Sequence, residues 1–94
     1  MIDKNDYFLY RISNDGDAEI YGQFHSLAAA TMSASLSMIK ECCMILSGDL
    51  TKLYFFTGNG DWEYDILTDK GRLEFFDTFP HPEDYVSSNK ILEF

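Results

Sequence analysis

Three carboxylates alternate along one short stretch, Asp61, Glu63 and Asp65, with Trp62 and Tyr64 between them. In an extended strand alternate side chains leave the same face. At roughly 3.3 Å rise per residue the acids would stand about 6.7 Å apart. Two carboxylates so placed are the equipment of glycoside hydrolysis, where one protonates the leaving oxygen and the other attacks or activates water. Trp62 falls on the opposite face from Asp61 and Glu63, and a small sheet under a lid has little cleft to hold a sugar. The row fits ionic recognition better. It is a line of negative charge with about half the density of a nucleic acid strand's phosphates. The same alternation assigns Tyr21, Tyr54 and Phe56 to this face, and Glu19 and Glu74 extend the row from other strands. Rings beside acids are the composition of a protein-binding face. Lys52 and Arg72 on the same face are also compatible with a plain solvated surface.

Other reactive types are present without the spacing that their chemistry requires. Asp15, Asp17 and Glu19 alternate as calcium ligands do, but the twelve-residue frame with a closing bidentate Glu is missing. His25 and His81 have no paired Cys or His at zinc-site spacing. The serines between residues 26 and 47 have no glycine elbow, and no glycine-rich phosphate loop occurs. The expectation is a binding protein with no enzymatic activity, cofactor or metal.

The balance of charge narrows the partner. Sixteen acidic against seven basic side chains give a net charge of −9, which repels nucleic acid phosphates and anionic membranes and attracts a basic protein. In size, charge and aromatic content the chain is similar to the small acidic inhibitors of phages and other mobile elements, such as anti-CRISPR and anti-restriction proteins. It also resembles the acidic immunity partners of toxins. The resemblance rests on that profile, without a shared motif. It implies an inhibitor that blocks a basic, nucleic-acid-binding surface of a partner protein, with nucleic-acid mimicry and a plain solvated acidic face both left open. Two alternatives stand beside it: an assembly module that homodimerises through its helix, and a domain that binds a small ligand or carbohydrate on its aromatic face.

The elements that must position these residues are short. A hydrophobic fraction of 46% over 94 residues supports one core in one domain. Residues 26–48, opened by Ser26 as a cap and closed by Gly48, read as a single long helix. Strands are expected at residues 7–13, 18–24, 50–57, 61–68 and 72–77. Turns fall at Asn14-Asp15-Gly16-Asp17, Gly58-Asn59-Gly60 and Asp69-Lys70-Gly71. The order is ββαβββ, an α+β domain with one antiparallel sheet of about five strands and the helix on one face. Residues 1–6 form an arm, 7–78 the core, and 79–94 an irregular or short-helical tail.

Under the helix the alternation places Phe8, Tyr10, Ile12, Ile20, Phe24, Leu53, Phe55, Trp62, Tyr64, Ile66, Leu73 and Phe75. On the helix itself Ala28, Ala29, Met32, Leu36, Ile39, Cys42, Cys43 and Leu46 fall within one arc and form the expected core face. Leu27, Ala34, Met38 and Ile45 line the other side, with charge only at Lys40 and Glu41. This apolar stripe is a candidate for contact with the tail or with a second copy. The adjacent cysteines of a helix cannot bridge and read as packing groups. Without a disulfide framework, a basic leader or a long apolar run, the expected location is the cytoplasm.

Overall fold

A computed structural model describes the backbone of residues 2–37, 39, 42–57 and 60–91, with side chains described up to residue 87. The chain folds in the order β1 (Tyr7–Ile12), β2 (Ala18–Phe24), α1 (Leu27–Leu36), β3 (Cys43–Ser47), β4 (Lys52–Phe56), β5 (Trp62–Ile66), α2 (Asp69–Thr78) and α3 (Pro82–Ile91). The strands form one antiparallel sheet in the order β2-β1-β3-β4-β5. It is the expected α+β architecture, reached with different elements.

The first hairpin follows its sequence signals. Gly16 takes φ of +86° in the turn, and Ser13 N donates to Asp17 O at 2.8 Å. Ser26 then caps α1, its Oγ accepting from Ala29 N at 3.1 Å. The helix stops at Leu36, and the second half of the expected long helix is instead β3, which pairs with β1 and β4 in the middle of the sheet. Residues 43–46, Cys-Met-Ile-Leu, are an unbroken apolar run. A strand covered on both faces needs apolar side chains in both directions, and its sequence then carries no period that separates it from a buried helix. Gly48 ends a strand, with its N–H donating to Asp6 O at 2.7 Å.

A second exchange occurs downstream. The stretch expected as a fifth strand, residues 72–77, lies within α2. Asp69-Lys70-Gly71 is the first turn of that helix, and not a hairpin loop: Thr68 Oγ1 accepts from Gly71 N at 3.1 Å, and Asp69 sits near the positive end of the dipole. Leu73 is exposed and Phe75 buried, as a helix with one side on the core requires.

Both sheet faces are covered, and the expected faces are exchanged on β1 and β4, with Phe8, Tyr10 and Leu53 turned away from α1, whereas Phe24 and the β5 residues Trp62, Tyr64 and Ile66 lie on the expected side. α1 lies over β2, β1 and β3. Beneath it Ala30 and Ala34 pack with Leu9, Ile39, Cys43 and Ile45. The opposite face carries Phe8, Tyr10 and Leu46, closed by Phe75, Phe76 and Phe79 and by Tyr85 and Val86 of α3. The expected outer stripe is therefore interior: Ala34 and Ile45 are fully buried, and Leu27 packs against the same cluster. Met38, Lys40 and Glu41 lie outside the described residues, as do the side chains of Ile91, Leu92 and Phe94. Of the expected core arc, Ile39, Cys43 and Leu46 are buried, but the part on α1 faces outward, with Ala28 and Ala29 exposed, Met32 62% exposed and Leu36 79% exposed. Cys42 is exposed, whereas burial pushes the Cys43 thiol up to about 11. Among its described residues the tail makes no part of the α1 cluster. It docks on the far side of the sheet, where the Tyr10 hydroxyl donates to Pro80 O at 2.6 Å.

Candidate partner-binding surface

The β4–β5 ribbon forms one end of the sheet. Its register pairs Lys52 with Ile66, Leu53 with Asp65, Tyr54 with Tyr64, Phe55 with Glu63 and Phe56 with Trp62. Directly opposed residues share a face. Tyr54, Tyr64, Phe56, Trp62, Lys52 and Ile66 thus lie on the α1 side, and Glu63 and Asp65 on the other, beside Phe55 and Leu53. The expected mixture of acids and rings on one face does not form. β4 and β5 carry the two classes in opposite phase: Tyr54 and Phe56 are matched by Tyr64 and Trp62, not by the acids.

The ring side is a packed ladder. Tyr54 and Tyr64 have centroids 5.5 Å apart, Phe56 and Trp62 5.5 Å, and Tyr7 meets Tyr54 edge-on at 6.2 Å. The Lys52 ammonium sits 5.3 Å from the Tyr64 ring centre, where the electron-rich face attracts a cation. Burial, then the neighbouring Tyr7 and Tyr64, raises the Tyr54 pKa. The ladder is rooted in the α1 core through Tyr54 and Trp62, and it becomes solvent-exposed outward, where Tyr64 is 52% and Ile66 62% exposed. Glu63 and Asp65 are exposed and form no ion pair among the described residues. Asp61 precedes β5 in the turn, where its carbonyl accepts from Thr57 N at 2.8 Å.

The remaining nominated residues do not join this group. Glu74 is on α2, 4.0 Å from Lys70 one turn away. Glu19 is on β2, at the opposite edge, and pairs with Arg11 at 3.9 Å. Four inter-strand steps of about 4.8 Å separate β2 from β5, so roughly 19 Å of sheet lies between Glu19 and the β5 acids. Tyr21 also lies on β2, at the point where the β1–β2 register shifts.

Comparison of the chain with family models, with curated proteins and with solved structures gives no match. Its own geometry is what bears on function.

Two constellations were not legible in the sequence. Asp6 is buried, and its carboxylate accepts from Gln23 Nε2 at 2.6 Å and from His25 Nδ1 at 2.8 Å. The hydrogen bond to Asp6 and then its charge raise the His25 pKa above the ordinary 6.5. The partners stand 17 and 19 residues apart, so only the β1–β2 pairing brings them together. The second is a groove of about 560 Å³ lined by Leu50, Arg72, Leu73, Phe76, Asp77 and His81, with Asp69 at its side. Arg72 is spent on its own fold. It donates to Leu67 O at 3.1 Å and Leu50 O at 3.3 Å and pairs with Asp69. His81 stacks on Phe76 at 4.3 Å, and its Nδ1 accepts from Glu83 N. Among the described residues no group of three or more His, Cys, Asp or Glu forms a cluster able to hold a metal ion. Nor is any described helix long and apolar enough to cross a membrane.

Proposed function

We propose that this chain is a non-enzymatic, cytoplasmic protein-binding module that covers a basic surface of another protein, an inhibitor of the kind that competes with nucleic acid for that surface. The observation that supports it most is the exposed end of the sheet. There Tyr64 and Ile66 project from one side of β5 and Glu63 and Asp65, with no ion pair among the described residues, from the other, in a protein of net charge −9. The acids raise the encounter rate with a cationic partner and set its orientation. The rings supply apolar contact at small cost in side-chain entropy. Asp61, at the entrance to β5, adds to the same field. Glu19, Tyr21 and Glu74 lie elsewhere on the surface and have no part in this contact.

The test is retention of a partner by the tagged protein at low and high salt. The comparison variants are Tyr64→Ala and the double variant Glu63→Gln, Asp65→Asn. A basic protein should be held at low salt, released at high salt, and lost with either variant. Retention of no basic protein at low salt would sink the reading.

A second reading has its own observation. Met32 and Leu36 expose a large apolar area on α1, a surface suited to self-association. It requires a dimer by sedimentation that Leu36→Asp dissolves, whereas a monomer at high concentration excludes it.

A further inference from the structure

The two edges of the sheet are built differently. β2, at one edge, is interrupted by a register shift opposite Leu9 and Tyr10, and such a bulge twists an edge away from further pairing. β5, at the other, is in uninterrupted register with β4 over all five of its residues. Its last four residues are exposed. The outward edge of such a strand presents a row of backbone N–H and C=O groups that can template another strand.

The side chains of β5 specify which strand. A second copy of this chain is a poor occupant: antiparallel self-pairing centred on Tyr64 would set Glu63 directly against the second copy's Asp65, and like charges in direct opposition repel. The same geometry favours a strand with cations on that face. The other face, with Trp62, Tyr64 and Ile66, calls for apolar side chains in alternation with them.

We infer that the β5 edge pairs with an extended segment of the partner protein in which basic and apolar residues alternate, its basic side chains meeting Glu63 and Asp65 and its apolar ones meeting Tyr64 and Ile66. This rests on the reading that the partner is a basic protein, and it adds the contact mode and the pattern of the recognised segment. Backbone hydrogen bonds hold the segment and alternate side chains select it, as in other cases of strand addition.

The probe is a short synthetic peptide alternating lysine and valine. It is compared with a peptide of the same composition with its lysines in one block, and with the alternating peptide N-methylated throughout. The alternating peptide should bind and should slow hydrogen exchange of outward-facing amides within β5. The block peptide and the N-methylated peptide should bind about tenfold more weakly or worse, since each loses pairs or backbone bonds along the strand. The variant E63K with D65K, at exposed positions, should keep an unchanged circular dichroism spectrum and transfer preference to a peptide alternating glutamate and valine. Equal binding of the N-methylated peptide, protection confined to other elements, or no binding of the alternating peptide at low salt would overturn strand addition. Salt-sensitive retention of a basic partner in the tagged-protein experiment would leave the broader reading standing in that event, so the two failures are told apart.

Discussion

Gly48 shows how narrowly single residues can be constrained here. A Cβ at this position would lie 2.2 Å from Asp3 O and 2.8 Å from Asp6 O, both backbone atoms. No side-chain rotation relieves that approach, so the N-terminal arm or the β3 end must move. Gly48→Ala should destabilise the protein by about 1–3 kcal/mol, the usual cost of overpacking, read as a lower denaturant midpoint at unchanged slope. The glycine reads as a helix terminator in the sequence; what it provides is room for the Asp3 and Asp6 carbonyls just beyond the end of β3. His25 and Asp6 sit on the same arm-to-sheet junction. Because the bond to Asp6 raises the His25 pKa above 6.5, the folded state favours the protonated ring. Its contribution to stability is complete below pH 6.5 and is lost as pH rises through the folded-state pKa. Denaturant midpoints should fall across that interval, and His25→Gln should flatten the slope. An imidazole NMR titration with a midpoint at or below the ordinary value would contradict this.

At the scale of elements, α1 and β3 share one apolar sequence and divide it by what each must bury. The helix presents two of its alanines, Ala30 and Ala34, to the sheet, and that lets it lie close over Leu9 and Ile45. Its larger Met32 and Leu36 face outward. Residue size alone would have assigned the faces the other way. Substitutions should report the true arrangement. Ala34→Leu forces three more heavy atoms into a fully packed layer and should cost about 1–3 kcal/mol. Leu36→Ser should stay within about 0.5 kcal/mol of the parent, as surface changes do. Thermal or chemical unfolding of the two variants checks this, and the reverse ranking would mean that the helix is rotated. The helix starts are partly readable: Ser26 reads as a cap, whereas Thr68 with Asp69 after it is the same kind of signal, masked because Thr68 also fits a strand end and Asp69-Lys70-Gly71 a turn. The acids and rings of β5 were assigned correctly to alternate positions on their own strand. Their match to β4 does not follow from alternation, because faces across strands depend on register, which only the paired strands reveal.

For the molecule as a whole, the sheet is a middle layer. α1 closes one side, and α2 with α3 closes the other. The C-terminal segment is thus part of the core: Phe79, Tyr85 and Val86 pack on the cluster of Phe8, Tyr10 and Leu46. Truncation before Phe79 should expose that cluster, remove the Tyr10–Pro80 hydrogen bond, and leave a chain that binds a hydrophobic dye and loses its cooperative transition. A sharp, unshifted transition after truncation would show that α3 is dispensable. From the amino-acid order alone followed the α+β class, the antiparallel sheet of five strands, the first hairpin, the start of α1 and the acidic balance. Each of these depends on local alternation, on turn and cap chemistry, or on charge. Only the tertiary structure decided that residues 43–47 are the central strand, that residues 72–77 are helical, and which side of the sheet each helix covers. A short run of apolar residues is equally content in a buried strand or a buried helix, and the choice is made by the neighbours available to satisfy its backbone and fill its two faces.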